Sequence, residues 1–101
     1  MDLRWGTMTR RYALATAKIE AVTALRTAGY DIWSNLAGDR YFVLGGNDQV
    51  NVTILLVPEG NEECFVAIIA DTSNGTGEAV RNRIRELIPE RPALPPIPHL
   101  S

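Results

Sequence analysis

The chain has few of the residues on which covalent, metal-dependent and nucleophilic chemistry depends. Among its 101 residues there is one cysteine, Cys64, and one histidine, His99. A single cysteine excludes an intramolecular disulfide, and its place at the start of an apolar run predicts a buried thiol. The chain also lacks the cysteine and histidine clusters of zinc sites. We therefore expect no cofactor, no metal and no catalytic residues.

Strong charge of either sign and long apolar runs are also missing. Ten basic residues are balanced by twelve acidic ones, for a net charge of −2, and such a balance does not favour binding to nucleic-acid backbones. No stretch approaches the ~20 apolar residues that cross a bilayer, and the N-terminus does not resemble a signal peptide. The sequence therefore predicts a cytoplasmic protein without membrane contacts.

Two segments have the apolar periodicity of amphipathic helices. The first covers about residues 9–28, with Thr9 as the N-cap and Gly29 as the stop signal. Its predicted apolar stripe consists of Ala15, Ile19, Val22 and Leu25. The second helix ends before Pro89, and its stripe consists of Val80, Ile84, Leu87 and Ile88.

Between these helices the composition predicts four strands, over residues 30–34, 40–44, 49–57 and 64–71. Their connections are short and rich in glycine, asparagine and proline, which favours an antiparallel meander over parallel pairing. The predicted fold is therefore α+β, a two-layer sandwich of order α-β-β-β-β-α with both helices on one face of the sheet. Residues 1–8 are expected to be a flexible arm, 9–90 a single domain and 91–101 an extended proline-rich tail.

Alternation along the third strand indicates which residues share a sheet face. Val50, Val52, Ile54 and Leu56 form one side and predict the core face. The other side begins polar and ends apolar, and the fourth strand is apolar on both faces, so the sheet has more apolar surface than a two-layer domain needs. The predicted partner-binding residues are Trp33, Tyr41, Asn51, Thr53, Leu55 and Val57.

Two segments near the end of the fourth strand have features of chemical sites. The run Ile68 to Ser73 resembles the apolar-apolar-Asp-Thr-Gly motif of aspartic proteases, but Ser73 replaces its glycine and a helix follows. Asp71 is therefore better explained as a strand-end residue that organises a turn. The segment 74–77 precedes a helix and offers free N–H groups to an anion, but it lacks the lysine of a phosphate-binding loop.

Two further features bear on binding. The segment from Pro92 to Pro98 resembles the polyproline ligands of SH3 domains, with its basic residue displaced to Arg91. The order of elements is similar to that of the double-stranded-RNA-binding fold. That family begins its second helix with lysines, whereas this helix begins Thr76-Gly77-Glu78, so the likeness is one of topology.

The function that these observations favour is that of a non-enzymatic protein-interaction module, such as a regulator, inhibitor or subunit. It would act through an apolar sheet surface on another protein and associate with itself as a homodimer. The alternative is a nucleic-acid-binding domain that uses Arg4, Arg10, Arg11 and the sheet aromatics. An enzyme with an unfamiliar site around Asp71 is a third hypothesis.

Overall fold

A computed structural model describes residues 2–33 and 41–90, which form five strands and two helices. In chain order the elements are β1 (Asp2–Arg10), α1 (Leu14–Thr27), β2 (Asp31–Ile32), β3 (Phe42–Gly46), β4 (Val50–Pro58), β5 (Cys64–Thr72) and α2 (Gly77–Leu87). The strands form a single antiparallel sheet in the order β1-β5-β4-β3-β2. The α+β class and the meander of the four later strands are confirmed. The predicted tail, 91–101, lies outside the described residues.

The N-terminal segment differs from the prediction. Residues 1–8 were expected to be a flexible arm, but Asp2–Arg10 is a strand that pairs along its whole length with β5, from Asp2 opposite Thr72 to Arg10 opposite Cys64. The prediction is wrong because β1 has almost no apolar alternation: on its inner side only Met8 is a buried hydrophobic residue. Its partner is more than fifty residues away in the chain, so no local signal announces the pairing.

Helix α1 also begins later and packs differently than the periodicity suggests. It starts at Leu14 after an N-cap at Ala13, and not at Thr9, which belongs to β1. The predicted stripe is only half correct, because Val22 and Leu25 are buried whereas Ile19 is 65% exposed. The buried face is completed by the small residues Ala17, Ala21 and Ala24. Small side chains let a helix approach a sheet closely. The predicted stripe consisted mainly of larger apolar residues and therefore missed these alanines.

The predicted end of α1 and the predicted apolar stripe of α2 agree with the structure. Gly29 ends α1 with a φ of +91°, and Tyr30 N donates to Leu25 O across the turn. In α2, Val80, Ile84 and Ile88 are buried as predicted, and Leu87 is partly buried.

The core lies between the helices and one face of the sheet. Alternate residues of β4 and β5 are buried on this face: Val50, Val52, Ile54, Leu56, Cys64, Val66, Ile68 and Ala70. Helix α1 contacts β2, β3 and β4, helix α2 contacts β1 and β5, and the two helices contact each other. One continuous hydrophobic cluster joins the sheet and both helices. The opposite face of the sheet is therefore left without a helix.

Candidate interaction surface

The sheet face opposite the helices, called the open face below, is defined by the strand register. Side chains of directly paired residues project to the same side, and successive residues alternate. The odd-numbered residues of β1, β2, β4 and β5 and the even-numbered residues of β3 therefore share the open face. Their neighbours in the chain form the core face described above.

One row of residues crosses the whole sheet and has a tryptophan at each end. Trp5 pairs with Ile69, Ile69 with Thr53, and Thr53 with Leu44. Trp33 continues the register beyond β2, because Trp33 N donates to Leu44 O at 2.8 Å. Trp5 is 66% and Trp33 50% exposed. These are the only two tryptophans of the chain, so both of its largest aromatic side chains lie on the open face.

The rows on one side of this line are also mainly apolar. One row runs from Thr7 through Ala67 and Leu55 to Phe42, and the next joins Thr9, Phe65 and Val57. Leu55, Val57 and Phe65 are exposed large hydrophobic residues. Together with the tryptophan row they form an apolar area that spans all five strands.

The row on the other side is polar at its centre. It joins Leu3, Asp71, Asn51, Gly46 and Asp31. Next to it a small open cleft of about 190 Å³ is lined by Asp48, Gln49, Asn51, Asp71, Thr72 and Ser73. The open face thus has an apolar body and one hydrophilic border, the arrangement of a protein-binding surface with a polar rim.

The predicted partner-binding residues fall on the open face with one exception. Asn51, Thr53, Leu55, Val57 and Trp33 lie there by register. Tyr41 does not lie there. Its carbonyl accepts a hydrogen bond from Leu56 N, so Tyr41 is on the core face of the sheet, like the buried Val43. It remains 43% exposed because it lies at the margin of the sheet.

Sequence reasoning missed the contribution of β1 and part of that of β5. Leu3 and Trp5 are among the most exposed large hydrophobic residues of the described chain, and they were assigned to the arm. The one local signal is the i, i+2 spacing of Leu3 and Trp5, and a pattern of two residues is too short to predict a strand by itself.

Comparison of the chain with protein-family models, curated proteins and solved structures finds no match. Within residues 2–33 and 41–90 no three acidic, histidine or cysteine side chains form a group able to hold a metal ion. In the same residues neither helix is long and apolar enough to cross a membrane.

Two of the three arginines of the nucleic-acid hypothesis, Arg4 and Arg10, lie on the other side of the sheet from the tryptophans, and Arg11 follows β1 outside the sheet. Arg4 pairs with Ala70 and Arg10 with Cys64, both on the core side of the register. Both are also engaged within the chain: Arg4 Nε donates to Asp2 Oδ1 at 2.9 Å, and Arg10 Nε donates to Ile88 O at 3.0 Å. The structure therefore does not bring these arginines and the open-face aromatics onto one surface.

The loop before α2 is occupied by the chain's own groups. Gly77 N donates to Asp2 Oδ2 at 2.8 Å, so a carboxylate from β1 takes the place that an anion would fill. The buried Thr72 hydroxyl accepts from Thr76 N at 3.1 Å. Asn74 Oδ1 accepts both from Thr76 N and, in a short bond, from the Thr76 hydroxyl.

Two titratable side chains, Cys64 and Tyr12, are buried in the interior. Cys64 is fully buried, as predicted, and burial first, then the nearby Glu59 carboxylate, raise the pKa of its thiol. Burial likewise raises the pKa of Tyr12 to about 12, and its hydroxyl donates to Pro89 O at 2.7 Å. Both shifts keep the side chains neutral, which suits packing rather than nucleophilic chemistry.

Proposed function

We propose that the chain is a non-enzymatic protein-interaction module whose open face binds another protein and which also associates with itself. The observation that carries this proposal is the row from Trp5 to Trp33, an apolar line across five strands that neither helix covers. Tryptophans are the residues most enriched among those that dominate binding energy, and exposed apolar areas of this kind mark interfaces.

The chemistry of the open face indicates the kind of partner. Its body consists of aliphatic and aromatic side chains with threonines between them, and the charged residues in its paired rows are Asp31 and Asp71, both in the polar row. Such a surface matches a flat, apolar partner surface, such as a second sheet or the apolar side of a helix pair. A regulator, inhibitor or subunit of a larger assembly would present this surface.

The test is affinity purification with a tagged chain from the cells in which it is native, followed by binding of the purified partner. Leu55→Lys places a charge in the body of the open face, and Ile19→Lys places the same charge on the exposed side of α1. We expect the wild type and Ile19→Lys to retain the partner and Leu55→Lys to lose it. Equal retention by all three would refute the proposal.

Self-association has its own readout. Light scattering over micromolar concentrations should give a mass that rises from that of the 11.1 kDa chain towards twice this value. A mass that stays at the monomer value throughout would remove the homodimer from the proposal.

A further inference from the structure

The long free edge of the sheet belongs to β1. In the described sheet the two edge strands are β1, with nine residues, and β2, with two. A long edge strand offers a row of unpaired N–H and C=O groups to another strand. The direction of these groups follows from the hydrogen bonds of the neighbouring strands.

The bonds between β3 and β4 set the alternation. Asn47 N donates to Val50 O, and Leu56 N donates to Tyr41 O, so the even-numbered residues of β4 bond to β3. Backbone groups alternate in direction along an antiparallel strand, so odd-numbered residues of β4 bond to β5 and even-numbered residues of β5 bond to β1. The register then directs the even-numbered residues of β1 to β5.

The outward groups of β1 therefore belong to Leu3, Trp5, Thr7 and Thr9. Two side-chain bonds agree with this assignment: Arg81 Nη1 donates to Trp5 O at 3.2 Å, and Arg10 Nη1 donates to Thr9 O at 3.1 Å. Among the described residues, none accepts a hydrogen bond from the four outward N–H groups.

We propose that a second copy of this chain pairs its β1 antiparallel to this edge, in the register centred on Gly6. In that register all nine residues of each strand are paired. Asp2 of one copy faces Arg10 of the other at both ends, and Trp5 of one copy faces Thr7 of the other. The charges at the two ends of β1 are thus complementary under the two-fold axis.

The neighbouring registers with the same hydrogen-bond alternation are less suitable. Centring the pair on Thr7 places Arg4 opposite Arg10, which brings like charges together. Centring it on Trp5 leaves Thr9 and Arg10 of each β1 without a partner residue in the other strand, so Arg10 no longer faces Asp2. Only the register centred on Gly6 uses the whole strand and pairs opposite charges.

This pairing extends the proposed function, and its biological role rests on that function. A two-fold axis perpendicular to the sheet keeps both open faces on the same side, so the two apolar areas join into one continuous surface. The two Trp5 side chains become diagonal neighbours near the axis, within reach of aromatic contact. The dimer would present a partner with a surface twice as wide as that of one chain.

Arg81 opposes the pairing and makes it reversible. Its side chain lies against Gly6, where an added Cβ would be 3.2 Å from Arg81 Cδ, and its guanidinium covers Trp5 O. A second strand must displace this bond, and the two copies of Arg81 then lie near the axis with like charge. Arg81→Gln should therefore lower the dimer dissociation constant several-fold, whereas a weaker dimer would contradict this role.

The decisive test is amide hydrogen exchange of the full chain, measured residue by residue at increasing concentration. We expect even-numbered amides of β1 to be protected at every concentration and those of Trp5, Thr7 and Thr9 to become protected only as the dimer forms. Odd-numbered amides that exchange rapidly at all concentrations would overturn the proposal. Protection independent of concentration would overturn it as well, because it would assign the edge to another segment of the same chain.

Cross-linking tests the register. Gly6→Cys places two thiols opposite each other across the axis, where non-hydrogen-bonded pairs have Cα atoms about 4.5 Å apart, within the range of a disulfide. Thr9→Cys is the matched control, since Thr9 of one copy is expected opposite Leu3 of the other. Mild oxidation should link the Gly6→Cys chains much faster than the Thr9→Cys chains, and equal rates would refute this register.

The two proposals fail separately. If Leu55→Lys abolishes partner binding while the odd-numbered amides stay unprotected, the edge pairing is refuted and the open-face function stands. If the amides become protected but Leu55→Lys binds the partner normally, the function is refuted and the dimer stands.

Discussion

At the turn between β3 and β4 a glycine has a conformation that no other residue would adopt without cost. Gly46 has a φ of +154°, and a Cβ on it would lie 1.9 Å from Val50 O and 2.8 Å from Trp33 Cη2. The backbone conformation of Gly46 thus permits the hairpin, and the absence of a side chain on Gly46 leaves room for Trp33 of the open face. Fold and candidate site depend on the same residue.

Gly46→Ala should therefore destabilise the protein more than a positive φ alone explains. Gly60→Ala is the matched control, because Gly60 has a φ of +96° with no atom within 4 Å of the added Cβ. We expect the control to lose about 1–2 kcal/mol of unfolding free energy and Gly46→Ala to lose more. Denaturant unfolding measures both, and equal losses would contradict the role of the close contacts.

The Asp2 carboxylate links β1 to the start of α2 and should make stability depend on pH. The hydrogen bond from Arg4 is the largest cause that lowers the pKa of Asp2 below its ordinary 3.8, with a further contribution from Gly77 N. A depressed pKa stabilises the fold above 3.8, and this contribution is lost as the pH falls through the lower folded value.

Asp2→Asn should accordingly be less stable than the wild type at neutral pH, and the difference should shrink in acid. Unfolding midpoints of the two proteins across this range provide the measurement. A difference that does not change with pH would show that the carboxylate charge makes no contribution.

Asp71 distinguishes the interaction function from catalysis. It lies on the polar row of the open face, opposite Asn51 and Leu3. Asp71→Asn keeps its shape and removes its charge, so we expect the folded variant to retain biological activity in the native cell. Complete loss of activity in a variant with unchanged unfolding would favour an enzyme.

At the scale of elements, α2 and α1 show which patterns are reliable. The stripe of α2 predicts its buried residues, whereas α1 buries alanines and exposes Ile19.

Ile84→Ala should therefore lose about 2–5 kcal/mol of unfolding free energy, since Ile84 is fully buried. Ile19→Ala should change it by less than about 0.5 kcal/mol. Thermal or denaturant unfolding compares them, and similar losses would contradict the orientation of α1.

The parts of the fold that could be predicted have local patterns. Val50 to Leu56 alternate clearly enough to identify the core face and its reverse, and the glycine and asparagine turns imply antiparallel neighbours. The pairing of β1 with β5 depends on contacts distant in the chain, and β1 has only Met8 to bury. For that reason the row from Trp5 to Trp33 could be found only once the register was known.

At the scale of the whole molecule, the proposed function rests on an imbalance between the two sheet faces. Two helices cover the core face, while the open face keeps both tryptophans and several aliphatic side chains in solvent. A small domain loses solubility by exposing such a surface unless a partner buries it. Pairing at β1 would widen this surface without covering it.

Tryptophan fluorescence tests the central claim most directly, because the chain has only Trp5 and Trp33 and both lie on the open face. The protein is titrated with the purified partner while emission and quenching by acrylamide are recorded. We predict that emission shifts to shorter wavelength and that quenching falls for both residues, with Trp5→Phe and Trp33→Phe used to separate them. Saturated binding with emission and quenching unchanged would contradict the claim that the open face binds the partner.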